Sequence, residues 1–97
     1  RLFGKQGNDL PLITSHLLSP NPFSEESILR FELQENSPCQ LKLYDLTGKL
    51  LVSNEVLGER VQNELVIRKK DLGSGGLFYY VLSSSYGSVS DRMIVQD

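Results

Sequence analysis

Side chains able to do chemistry are few in this chain, and their spacing works against them. There is one histidine, His16, and one cysteine, Cys39. A zinc site needs several His, Cys or carboxylate ligands at short, fixed spacings. No second histidine, cysteine cluster or carboxylate set at ligand spacing accompanies either residue. A Cys–His or Ser–His–Asp arrangement for nucleophilic attack has no support in the pattern either. His16 reads as a structural or rim residue, and Cys39 as a small apolar residue buried on a strand. Glu25 and Glu26 are adjacent acids in a proline-rich connector, and calcium would want more oxygen ligands in a tighter loop. The glycines of GSGG, Gly73 to Gly76, do not make a phosphate loop. Such a loop continues with Lys-Ser or Lys-Thr and opens a helix, whereas LFYY follows here. Arg68, Lys69 and Lys70 form a short basic run that reads as a solvated strand end, with a contact patch as the minor alternative. No enzyme activity, metal or cofactor is expected, so the domain acts by binding or by being recognised.

Composition narrows the partners. Ten basic residues against twelve acidic give a net charge of −2, without the basic excess that nucleic acid or an anionic membrane attracts. No apolar run approaches the roughly 20 residues of a membrane-spanning helix. With 97 residues, one domain with one modest core is expected. A single cysteine allows no internal disulfide and decides compartment only weakly. The chain begins at Arg1, which points to a fragment or a processed product with any export signal upstream.

The elements that must position these residues show a period of two. SILRFEL sets Leu29, Phe31 and Leu33 against Ile28, Arg30 and Glu32. PCQLKLYD sets Cys39, Leu41 and Leu43 against Gln40, Lys42 and Tyr44. In NELVIRK, Leu65 and Ile67 alternate with Glu64, Val66 and Arg68. In SVSDRMIVQ, Val89, Asp91, Met93 and Val95 alternate with Ser90, Arg92, Ile94 and Gln96. Strands with one buried face alternate in this way. Two more strands are expected near Leu12 to Leu18 and Lys49 to Leu57. GLFYYVLSS is apolar or aromatic on both faces, and predicts a central strand covered on both sides with tyrosine hydroxyls at the rim.

Turns punctuate the strands. DLTGK, Asp45 to Lys49, predicts a type I turn capped by Asp45, with Gly48 in a left-handed conformation opening a bulge. Tyr86, Gly87 and Ser88 predict a hairpin tip. In SPNPF, Pro20 and Pro22 each fix φ and remove a backbone donor, and push Ser19 and Asn21 toward extended geometry. That stretch reads as a stiff connector delivering Phe23 to a pocket at the end of the sandwich. Residues 1–11 read as a linker and residues 12–97 as the domain. The fold class that follows is all-β: an immunoglobulin-like antiparallel β-sandwich of about seven strands, with no helical period anywhere.

The blocks PNPF, FEL, LYDLTGKLL, DLGSGGLFYYVL and the closing RMIVQ occur in a recognisable order from about Leu17 to Gln96. In this the chain resembles the C-terminal sorting domain of substrates of the type IX (Por) secretion system of Bacteroidetes. The resemblance implies an immunoglobulin-like domain at the end of a larger cargo. The cargo reaches the periplasm by a separate N-terminal signal and then crosses the outer membrane. It implies the secretion machinery as partner, and a surface sortase that commonly removes the domain and can link the cargo to an anionic lipopolysaccharide. Secretion or display at the cell surface is therefore expected. Carried onto this sequence, the terminal motif gives Gly87, Arg92, Met93, Ile94 and Val95 as recognition residues. Gly87 shapes the hairpin, Met93 and Val95 face the core, and Arg92 and Ile94 face outward. The structural motif is Pro20, Asn21, Pro22, Phe23, Tyr44, Asp45 and Gly48. The alternative is an accessory immunoglobulin- or fibronectin-like module of a secreted enzyme, binding carbohydrate or protein. A purely structural sandwich module is a third reading.

Overall fold

The computed structural model describes residues 12–85 and 87–97. The expected linker, residues 1–11, lies outside the described residues, as does Tyr86 of the hairpin tip. Seven strands follow in chain order: β1 (Ile13–Ser19), β2 (Glu26–Leu33), β3 (Ser37–Asp45), β4 (Leu50–Gly58), β5 (Val61–Arg68), β6 (Gly76–Ser84) and β7 (Gly87–Val95). They form two antiparallel sheets, β1-β2-β5 and β4-β3-β6-β7. In constant-type immunoglobulin domains the fourth strand crosses to the first sheet. Here the tight DLTGK turn returns β4 against β3, so Leu43 faces Val52 and Gln40 faces Glu55. The result is a three-plus-four sandwich.

The alternation read from the sequence sorts the side chains. Leu29, Phe31 and Leu33 of β2 meet Cys39, Leu41 and Leu43 of β3 and Phe78, Tyr80 and Leu82 of β6 in one core. Each large apolar side chain buried this way contributes roughly 1.5–3 kcal/mol. β6 is central in its sheet, between β3 and β7, but it is not covered on both sides. Phe78, Tyr80 and Leu82 are buried, whereas Leu77 and Val81 are half-buried and Tyr79 is exposed. A sandwich has only two layers, so the second apolar face of β6 has nothing above it.

One short helical turn interrupts the strands. Residues Lys69–Leu72 form a single helical turn, α1. Lys69 donates its N–H to the Glu25 carbonyl at 2.9 Å, and Leu72 turns into the core. Gly73, at φ 89°, closes the turn by donating to the Lys69 carbonyl. Of the basic run, Arg68 ends β5, and Lys69 and Lys70 sit on the helical turn that anchors Leu72.

Candidate recognition surface

The PNPF segment and the terminal strand, far apart in sequence, are one structural unit. Both X–Pro bonds at Pro20 and Pro22 are cis. The buried Ser27 hydroxyl donates to the Pro20 carbonyl at 2.5 Å and ties the connector to β2. Asn21 then reaches across to β7: its Oδ1 accepts from the Ile94 N–H at 2.9 Å and its Nδ2 donates to the Arg92 carbonyl at 3.2 Å. Phe23 continues the contact as a short parallel bridge. It donates its N–H to the Ile94 carbonyl and accepts from the Gln96 N–H at 2.8 Å. Backbone groups on the outer edge of β7, which a sheet edge ordinarily leaves unpaired, are thus satisfied from Arg92 to Gln96. The Phe23 ring is 2% exposed and packs into the core beside this bridge.

The terminal motif splits by the pleat. Met93 and Val95 are buried. Arg92 and Ile94 project from the outer face of the four-stranded sheet, and Ile94 is 46% exposed. Gly87 opens β7 opposite Ser84, at φ 149°, a conformation that side-chain-bearing residues rarely adopt.

The DLTGK block lies on that same outer face. Tyr44 faces Tyr79, and Tyr79 in turn faces Arg92, so one row crosses β3, β6 and β7. Next to it, Leu77 faces Ile94. Leu46, within the turn, and Leu50, just after it, are exposed. The turn itself is held by Asp45, whose Oδ1 accepts from the Thr47 N–H at 2.9 Å, the Thr47 hydroxyl at 2.6 Å and the Lys49 N–H at 3.0 Å. These bonds, the Thr47 hydroxyl first, hold the Asp45 carboxyl below its ordinary pKa. Gly48, at φ 89°, completes the turn, and a bulge follows, with Leu43 opposite Val52 but Tyr44 opposite Leu50. The surface is therefore an apolar and aromatic centre with Arg92 and Lys42 beside it and the stapled edge of β7 along one side.

Known proteins bear on the domain as a whole. The model of the secretion system C-terminal sorting domain matches residues 18–96, nearly the whole chain. The chain belongs to that family. Among solved structures, a crystal structure of dimeric latent PorU from Porphyromonas gingivalis is similar, at 25% sequence identity and TM-score 0.59. The match covers 82% of this chain and 9% of that one. No curated protein matches. As a type IX sorting domain, the chain marks a protein for secretion to the cell surface or beyond. No helix among the described residues is long and apolar enough to cross a membrane.

Within the sorting domain the sparse reactive residues take structural places. His16 Nδ1 and the Tyr80 hydroxyl are 2.6 Å apart, joining β1 to β6 across the two sheets, with the rings edge to face. The Tyr80 hydroxyl, expected at the rim, is buried in this contact. Burial and the nearby Asp91 carboxylate push its pKa up to about 12. Cys39 is buried, and burial pushes its thiol up, away from the reactive thiolate. Among the described residues no group of three His, Cys, Asp or Glu side chains could hold a metal.

Sequence reasoning placed Pro20 to Phe23, Tyr44, Asp45, Gly48 and the terminal motif, but it did not join them. It missed the grip of Asn21 on β7, for which an amide held between two prolines was the available signal. It also missed Ser27, a buried hydroxyl on an apolar face, and Asp97, whose Oδ1 accepts from the Gly75 N–H at 3.0 Å.

Proposed function

We propose that the secretion machinery reads this domain as a folded surface: Arg92 and Ile94 of β7, held in place by the Asn21–Phe23 staple, with Tyr44 and Tyr79 alongside. In this reading Met93 and Val95 fix the strand in the core, Gly87 shapes the hairpin that leads into it, and Asp45 and Gly48 set the turn that orients Tyr44. Residues 12–97 act as the signal. The preceding segment tethers a larger cargo, and a surface sortase cuts between Arg1 and Leu12 or upstream. The observation that carries the reading is the alternation along β7: two motif side chains anchor it, and two stand outward beside a stapled edge.

The test separates recognition from folding. Removing Arg92 to Asp97 would also remove Met93 and Val95 from the core, so failed export of that deletion would be ambiguous. Arg92→Glu with Ile94→Glu alters only outward side chains. Fused behind a reporter in a type IX-competent bacterium, the parent chain should carry the reporter to the surface. The double variant, with an unchanged melting temperature, should leave it in the periplasm. Undiminished surface display of the variant removes these two residues from the signal. Mass spectrometry of the displayed reporter should find its C-terminus before Leu12, and an intact 97-residue tail would count against sortase removal.

The rival reading, an accessory carbohydrate- or protein-binding module, draws on Tyr44 and Tyr79 standing side by side on an open face. A glycan-array signal lost in Tyr79→Ala would favour it.

A further inference from the structure

Two sheets present four edge strands, and they are not equally protected. The β7 edge is stapled by Asn21 and Phe23, and its Arg92 N–H is taken by the Asp91 carboxylate at 2.8 Å. β1 packs against β7, and β5 carries the exposed charges Glu64 and Arg68. β4 differs. LLVSNEVLG contains one charge, Glu55, and neither lysine nor proline, the residues that commonly blunt an edge. α1 packs against β4, but no backbone hydrogen bond among the described residues joins it to anything beyond its own sheet. At its far end Leu57 is 84% exposed.

We propose that the β4 edge pairs antiparallel with β4 of a second copy of this chain, about a two-fold axis through Asn54. The two four-stranded sheets become one continuous sheet. An interface of this symmetry must be self-complementary, and the sequence of β4 is so in only one nearby register. With the axis through Asn54, Val52 faces Val56, Ser53 faces Glu55 and Leu51 faces Leu57 of the other copy. Val52 and Val56 already lie against the core and are only partly covered, so the partner strand completes their burial. Within one sheet Lys42 faces Ser53. The row across the joint is then Lys42, Ser53 and the other copy's Glu55. Lys42 and Glu55 are two strand spacings apart, about 10 Å, and the small serine between them leaves the long lysine stem a clear path. Symmetry supplies this pair twice. Moving the axis one residue either way loses the match. Through Glu55 the two acids oppose each other directly, which is destabilising, and through Ser53 that serine faces its own copy, so the row no longer brings Lys42 to Glu55. Nothing in this proposal uses β7, so it stands or falls independently of the export reading.

Sedimentation of the 97-residue chain from roughly 10 μM to 1 mM should show a concentration-dependent dimer. Ser53→Glu, at an exposed position, places Glu against Glu55 and should weaken the dimer about tenfold with an unchanged circular dichroism spectrum. Adding Glu55→Lys to Ser53→Glu should restore it. In this register the two Asn54 Cα atoms approach to roughly 4.5–5.5 Å, within disulfide range. Asn54→Cys should therefore cross-link on mild oxidation, while Glu55→Cys should not; the native Cys39 is buried and does not compete. A monomer across the whole range with no Asn54→Cys cross-link overturns the proposal. So does a dimer indifferent to Ser53→Glu.

Discussion

Phe23 is where a connector becomes part of the fold. Its backbone bridges β7 and its ring enters the core, so one residue serves both the edge and the interior. Phe23→Ala removes a buried ring and leaves a cavity, a change that costs roughly 3–5 kcal/mol. A domain of this size has about 5–10 kcal/mol in total, so urea unfolding should show a marginal domain. An unchanged midpoint would mean that the ring is not packed as described. Asp45 acts by acceptance alone. Its carboxyl is held below its ordinary pKa, so its contribution is present above the carboxylate range and lost as pH falls through it. Melting temperature measured against pH should fall less steeply below neutral in Asp45→Asn than in the parent. Equal slopes would show that the Thr47 and Lys49 bonds do not depend on charge.

Elements show how neighbours decide what a strand does. β3 and β4 are joined by a turn so tight that β4 cannot cross to the other sheet, and this produces the three-plus-four order. The β4–β5 link is less comfortable. Val61 has φ 81°, a left-handed conformation that a β-branched side chain resists, and it is held there by full pairing of β5 with β2, in which Val61 faces Leu33. Val61→Asn keeps the pairing and suits the conformation, so it should stabilise the domain by about 0.5–1 kcal/mol in urea unfolding. Destabilisation would show that the half-exposed valine side chain contributes more than its backbone costs.

At the scale of the whole molecule, the contact of Tyr80 with His16 joins the two sheets. The Tyr80 hydroxyl has its pKa raised to about 12, so its contribution is complete below the ordinary tyrosine value near 10 and is lost as pH rises toward the shifted value. Unfolding followed by far-ultraviolet circular dichroism should show an alkaline loss of stability in that window. Tyr80→Phe should lack this loss, though it leaves His16 without its partner at every pH. A parent protein with a flat alkaline profile would show that the hydroxyl ionises without unfolding the sandwich.

Much of this was written locally. The positions of β2, β3, β5 and β7 follow from apolar residues recurring at every second place, because a pleated strand with one dry face can bury no other set. DLTGK fixed its own turn, since the Asp45 acceptor, the Thr47 donors and the Gly48 backbone lie within a few residues of each other. The helical turn at Lys69–Leu72 was not legible: four residues are too few to show a helical period, and only the core waiting for Leu72 selects it. Nor was the bare outer face of β6, because apolar residues on both sides of a strand announce burial whether or not a third layer exists. The union of Asn21 and Phe23 with Arg92 and Ile94 joins residues with no local relation, and only the closing of the sandwich brings them together. Sequence alone determined which side chains face inward, through backbone geometry repeated residue by residue. Tertiary structure decided which outward side chains share a surface and which strand edges stay open, because those depend on how distant strands are ordered within a sheet.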